Sequence, residues 1–470
     1  MKINYKSTVL LTILLISMNL LMSCSSGGGL ERWIHEDVNE DFTSKVFSKK
    51  ELKEDLESLK NQMIARHPVY NEITDKKAIN TMYASLKSNI IEDMNRQDFF
   101  QLIGKLTPYF NDGHSLIFPL LAEGTYAKNG RQHLFPFGVL VNNESLYINK
   151  RHTHKSNPIT IEKGTKILSI NGISGKTILK ELAQYGHGET ANLRMHMSSL
   201  LFPYWLNAIY GWKENFQLVL EFENKQKSIT VSNPEDWNNE SSGLGDNWLK
   251  VMPNQVAYLR LGTFDVIEES GYKEFVENAF DEIQKKQLSK LVIDVRGNTG
   301  GQTAAGTEII KYLTDKKLNQ VSSVIEKLTE DSNGFLGYKG DPGEIIEIDV
   351  TGNNLVEPVQ DSKRYKGEVI VLIDEMSYSA TIVFATTIQD HNLAKLVGQP
   401  TGGYANQTGN LAPFYLPNTK LLVLAPGRYI TRVSGDTRKQ SVQPDIHVTK
   451  DENPAIDKTL EVSLSLFENQ

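Results

Sequence analysis

The pattern of apolar and polar positions is most informative in residues 369–390. Residues 369–373 are a continuous apolar, β-branched run of the length expected for a buried strand. A polar break covers 374–378. From Ser379 the period changes, and Ile382, Val383, Ala385, Thr386 and Ile388 fall at helical spacing. Ser379 therefore stands where a strand turns into a helix. A helix start leaves backbone N–H groups free to face a developing oxyanion, which suits a nucleophile. It also suits an ordinary N-cap serine, and this stretch alone does not decide between the two.

Upstream, Leu52, Leu56, Leu59 and Met63 predict a helix that ends at His67-Pro68, because the residue before proline is pushed out of the α region. Further helices are expected over 76–91 and from Asn95. Short strands dominate 135–232, at 137–141, 146–148, 166–170 and 218–222, with a helix from Lys176. Gly164 and Asn171-Gly172 give turns around the strand at 166–170, read as the edge of a small β-module able to take an extended peptide. The aromatic stretch 194–212 reads as core, with a groove lining as the other reading. From Asn254 strand and helix alternate: strands at 256–261, 290–295 and 394–397, helices at 272–284 and 303–313. This alternation predicts α/β layering.

Composition is that of a soluble globular protein, 39% hydrophobic and 23% charged over 470 residues. The net charge of −7 carries no basic stripe, so nucleic acid is not an expected partner. The N-terminus changes the picture more. Lys2 and Lys6 precede an apolar stretch at 9–21 that is short for a membrane span, followed by Leu21-Met-Ser-Cys24. Cys24 is the one cysteine, which excludes internal disulfides. The segment resembles a bacterial lipobox, implying export, cleavage before Cys24 and lipidation of its thiol; an ordinary secretory signal with a spare cysteine is the other reading. Ser25-Ser-Gly-Gly-Gly29 suits a flexible tether.

Candidate chemistry is sparse. Asp112-Gly113 is a turn dipeptide with His114 behind it, at the mouth of an apolar strand. Arg296-Gly-Asn-Thr-Gly-Gly301 is a glycine turn after a strand. No metal-ligand spacing or nucleotide loop occurs, so no metal and no cofactor are expected.

Taken together, these pieces resemble the tail-specific, or C-terminal processing, serine peptidases, including their tricorn-like and retinoid-binding-protein-like members. The resemblance rests on residues 291–301, on Ser379-Ala380 opening a helix that ends Gln389-Asp390, on 396–403 and on Val442-Gln-Pro-Asp-Ile446. It implies an α/β crotonase-like peptidase core with an N-terminal helical domain and a PDZ-like β-rich module. The implied division is signal peptide 1–23, lipidated tether 24–46, helical domain 47–110, PDZ-like module 111–240 with the histidine segment at its start, and peptidase core 241–470. One branch of the family takes its base from a lysine after the nucleophile helix; here Tyr404 stands there, and no lysine lies between Lys395 and Lys420. The other takes a histidine from an upstream Asp-Gly-His segment, which His114 matches.

The resemblance thus implies Ser379 as nucleophile and His114 as general base, consistent with a serine hydroxyl needing a neutral imidazole beside it. It places the oxyanion hole at the N–H groups of Gly300 or Gly301 and of Ala380. The family's acid falls shortly before the Pro-Asp-Ile segment, where no glutamate occurs; Asp436 is the nearest acid and the expected third member. Asp112 and Glu375 compete with it, each more simply read as a turn or surface residue. The implied protein is a lipid-anchored, cell-envelope endopeptidase with a polypeptide substrate. A binding lipoprotein of the same fold with little or no catalysis is the alternative, and an acyl hydrolase acting on a non-peptide substrate is a third reading.

Overall fold

The computed structural model describes residues 44–121, 123, 133–239, 246–266, 269–330, 340–351 and 355–468. The signal segment and Cys24 lie outside the described residues.

Three helices open the fold: α1 (Lys49–Arg66), α2 (Lys76–Asn89) and α3 (Arg96–Ile103). Each starts on a side-chain cap that satisfies first-turn N–H groups. Ser48 and Glu51 form a reciprocal capping box, Asp75 accepts from Lys77 and Ala78, and Asn95 accepts from Asp98. His67 ends α1 in an extended conformation, with Pro68 behind it. The apolar faces of these helices share one core with the β-module that follows. Asp55 of α1 is fully buried, and its carboxylate accepts from the backbone N–H groups of Asn418 and Thr419, tying the helices to a distant hairpin.

The module contains β1 (Val139–Asn142), β2 (Ser145–Ile148), β3 (Lys166–Ile170), β4 (Phe216–Phe222) and β5 (Lys225–Val231), in the sheet order β5-β4-β3-β2-β1. Between β3 and β4 run α4 (Gly175–Leu182), α5 (Ala191–Met197) and α6 (Phe202–Tyr210). The expectation that the strand at 166–170 forms a peptide-binding edge is corrected here. β3 pairs with β4 on one side and with β2 and Ile173–Ser174 on the other, so its ladder groups are already used. The sheet's outer strand β5 is mostly exposed and polar, as edge strands usually are. The aromatic stretch is largely core: Phe202 and Trp205 are buried, and Trp212 stacks on Tyr210.

From residue 247 onward the strands among the described residues are β6 (Asn247–Val251), β7 (Val256–Leu261), β8 (Lys290–Asp294), β9 (Val321–Lys327), β10 (Ile345–Ile348), β11 (Glu368–Ile373), β12 (Lys395–Gly398), β13 (Gln407–Tyr415), β14 (Leu422–Arg432) and β15 (Ile446–His447). Six of them form a sheet in the order β6-β7-β8-β11-β12-β15, parallel from β7 onward. Both faces of this sheet are covered, which is why its strands read as unbroken apolar runs. Leu291, Ile293, Val371 and Ile373 point to a core shared with α7 (Glu269–Lys285), α8 (Thr303–Leu313) and α9 (Ala380–Asp390). The alternate positions Val292, Ile370 and Leu372 face the other side, where α10 (Lys458–Leu466) packs.

The second sheet, β10-β9-β14-β13 with the two-residue strand Leu116–Ile117 added to β14, is antiparallel and was not predicted strand by strand. Gly409, Pro413, Pro426 and Gly427 lie within β13 and β14, and such residues argue against a strand in a sequence. Asn410 takes a positive φ of 56°, and the ladder skips Asn410 and Gly427 while its register runs on unchanged from Gly409 to Leu411. Because Leu116–Ile117 pairs with Leu424 and Val423, this sheet carries the Asp-Gly-His segment to the end of the parallel sheet.

Candidate active site

The site forms where β11 gives way to α9. Ser379 has φ 55° and ψ −122°, a conformation costly for a residue with a Cβ, about 1–3 kcal/mol. Strain of this kind marks a sharp strand-to-helix turn that pushes a serine hydroxyl out of the fold. Ser379 does not cap α9: its hydroxyl makes no hydrogen bond to the helix's first turn. Instead its Oγ stands 2.9 Å from Nε2 of His114. Ser377, two positions earlier, is fully buried and donates its hydroxyl to the carbonyl of Val295 at 2.9 Å.

Asn298 builds the turn that faces Ser379, and sequence reasoning did not single it out. It is fully buried; its carbonyl accepts from the N–H of Tyr378, its Oδ1 accepts from the N–H of Gly300, and its Nδ2 donates to the carbonyl of Leu261. Gly300 has φ 102°, and a Cβ there would lie 2.7 Å from the Cβ of Ser379 and 2.9 Å from the nitrogen of Ala380. Gly301 has φ 131°, and a Cβ there would strike the backbone of Phe264 and Asp265. Of the expected oxyanion donors, Gly300 lies against the serine and Ala380 follows it in the chain, with one correction. The N–H of Gly300 is occupied by Asn298, so Gly300 contributes close approach rather than a free donor. Among the described residues no acceptor is bonded to the N–H of Gly301 or Ala380.

The orientation of His114 also departs from expectation. Its Nδ1 lies 3.0 Å from Oγ1 of Thr408 and 3.2 Å from Oη of Tyr378. Thr408 donates its single proton to Oδ1 of Asp112 at 2.5 Å, so toward His114 it is an acceptor. A proton is thereby held on Nδ1, and Nε2 is left to accept from Ser379. Asp436 does not join this network. Both its carboxylate oxygens accept from the Arg438 guanidinium on an exposed turn, and its carbonyl takes a bond from Asn406. Glu375 is likewise committed, to Lys450.

Asp112 is buried, and its Oδ2 accepts from Ser115 at 2.6 Å and lies 3.3 Å from Nε2 of His67. Burial raises its pKa, but the contacts to His67, His114 and Ser115 outweigh this and hold the carboxyl well below the usual range. Burial pushes the His114 imidazole down to about 4 against the pull of Asp112, so the ring is neutral at neutral pH. Glu189, buried beside Tyr378, is pushed up to about 8 by burial and by the charge of Asp112. Tyr378 donates to its Oε1 at 3.0 Å. The Tyr378 ring fits between two glycines: a Cβ at Gly113 would lie 2.1 Å from its hydroxyl, and one at Gly403 would lie 2.4 Å from its ring. Among the described residues, no cluster of histidine, cysteine or acidic side chains is arranged to hold a metal ion.

Residues 255–448 match the model of peptidase family S41. The chain is 26% identical over 207 residues to carboxyl-terminal-processing peptidase 2, chloroplastic, of Arabidopsis thaliana, covering 44% of this chain and 33% of that protein. It is 25% identical over 192 residues to the carboxyl-terminal-processing protease of a Picosynechococcus species, covering 41% and 38%. The alignments thus span only 33% and 38% of these relatives' own length. The solved structure of mature CPAF has the same fold, with a TM-score of 0.62 at 15% identity, covering 89% of this chain and 96% of that one.

Proposed function

We propose that this chain, whose residues 255–448 carry the peptidase family S41 domain, is a serine endopeptidase. It cleaves polypeptides through an acyl-enzyme on Ser379. The observation that carries the reading is the 2.9 Å contact between Ser379 Oγ and His114 Nε2 on a strained turn. Ser379 Oγ attacks the scissile carbonyl as its proton passes to Nε2. The collapsing intermediate expels the amine, which takes that proton, and water then hydrolyses the ester by the same route. The N–H groups of Ala380 and Gly301 are the donors available to the oxyanion, each worth about 100-fold or more in turnover.

Asp112 replaces Asp436 as the acid in this reading. It acts on His114 through the Thr408 hydroxyl, which holds the imidazole in the productive tautomer and spreads the charge of the imidazolium. The core is read as crotonase-like and the β1–β5 module as PDZ-like, in line with the family resemblance. The Leu21-Met-Ser-Cys24 segment supports a lipid anchor at Cys24 and a place in the bacterial cell envelope.

An unstructured polypeptide such as casein tests the activity. The purified protein is expected to fragment it, and the Ser379→Ala variant to leave it intact. Equal fragmentation by both, or none by the parent, contradicts the proposal.

A further inference from the structure

Nδ1 of His114 has a second hydroxyl neighbour that the acyl-transfer scheme leaves unused. Tyr378 Oη lies 3.2 Å from Nδ1 and donates to Glu189 Oε1 at 3.0 Å. The phenol cannot swing away, because its ring is held between Gly113 and Gly403. Glu189 is buried, and among the described residues no hydrogen bond reaches its other oxygen, Oε2. We propose that Glu189, acting through Tyr378, is a positioning residue that sets which nitrogen of His114 carries the proton.

The proposal rests on His114 being the base for Ser379. With Glu189 ionised, Tyr378 gives its proton to the carboxylate and turns a lone pair toward Nδ1. Two acceptors, Tyr378 and Thr408, then hold the imidazole proton on Nδ1, and Nε2 is free to accept from Ser379. With Glu189 protonated, the acid takes one proton from solvent and donates it to Tyr378 Oη. The phenol's own proton turns to Nδ1 and competes there with the acceptor that Thr408 still presents. The imidazole stays neutral but divides between its tautomers, and the share with the proton on Nε2, facing Ser379 Oγ, cannot act as the base.

Several other groups face this chain. Asp112 acts on Glu189 by its charge, and Arg194 and Tyr429 feel the charge of Glu189. His187 reaches the carbonyl of Gly113 at 2.5 Å, and His67 lies against Asp112. Asp112 disfavours the ionised form of Glu189 while Arg194 favours it. The burial of Glu189 places the change on the alkaline side of neutrality, near the value of about 8.

Nitrogen-15 NMR of the imidazole tests this without requiring turnover. The ring is assigned by difference against a His114→Gln variant, and the titration runs from pH 6 to 10. In the parent, the proton is expected to move from Nε2 to Nδ1 as Glu189 ionises, an about tenfold shift in tautomer ratio for one hydrogen bond. Tyr378→Phe keeps the ring between its glycines, and Glu189→Gln is isosteric with the protonated acid. Either variant is expected to abolish the pH-dependent step. The same tautomer at every pH in the parent, or an unchanged step in Tyr378→Phe, overturns the proposal. A parent that shows the step but does not react at Ser379 would contradict the peptidase reading instead.

Discussion

The hydroxyl of Thr408 donates to Asp112, a residue 296 positions upstream, and the same oxygen stands 3.0 Å from His114 Nδ1. A strand of the antiparallel sheet thus links Asp112 to His114, the acid and base of the proposed mechanism. Thr408→Val keeps the shape and removes the link. It is expected to lower acylation at Ser379 by about 10- to 100-fold, within the range that correct positioning of a base contributes. Asp436→Asn is expected to leave the rate unchanged. A rate lost in Asp436→Asn and kept in Thr408→Val would contradict the relay.

Gly300 marks the closest approach of the glycine turn to the nucleophile. Gly300→Ala forces a Cβ to within 2.7 Å of the Ser379 Cβ at a φ of 102°. Turnover is expected to fall at least 100-fold, the scale of losing an oxyanion donor, because the whole turn must retreat. A variant with parental kcat would show that this turn plays no part in the chemistry.

The period change at Ser379 and the turn dipeptide before His114 make both positions candidates, the family resemblance pairs them, and the structure brings their side chains to 2.9 Å. The sequence does not show the connection through Asp112 and Thr408. Asp112 reads as a turn residue, since its role depends on Thr408, and Thr408 lies in a strand disguised by Gly409 and Pro413. Asp436 was chosen for its place before the Pro-Asp-Ile segment, but an arginine two residues on captures it. The parallel strands were legible because both their faces are covered. The Glu189–Tyr378 pair carries no sequence signal as a pair: Tyr378 reads only as part of the polar break before Ser379, Glu189 lies in no motif, and burial gives both their meaning.

Glu189 also makes a stability claim with a definite sign. Its folded pKa is raised from 4.5 to about 8, so between these values the folded chain keeps a proton that the unfolded chain has released. Stability therefore falls as pH rises through that window. Glu189→Gln has no proton to lose. It is expected to exceed the parent's unfolding free energy by a few kcal/mol above pH 8, with the difference vanishing below pH 4.5. Denaturant titrations at pH 4 and pH 9 measure this, and an equal difference at both would contradict it.

Cys24→Ala is expected to release the protein from the membrane fraction into the soluble one, because the thiol is the lipid's attachment point in the proposed anchor. Among the described residues no helix is long and apolar enough to cross a membrane, so none offers a second hold of that kind. A variant that partitions with membranes like the parent would remove the main support for the lipoprotein reading.

Covalent labelling by a fluorophosphonate tests the central claim most directly, because it reports an activated serine without knowledge of the substrate. The parent is expected to label at Ser379, His114→Ala to label at least about 100-fold more slowly, and Ser379→Ala not at all. Ser377→Ala is expected to retain most of the labelling, since that hydroxyl is buried against the Val295 carbonyl. Full labelling of Ser379→Ala, or none of the parent, would contradict the account.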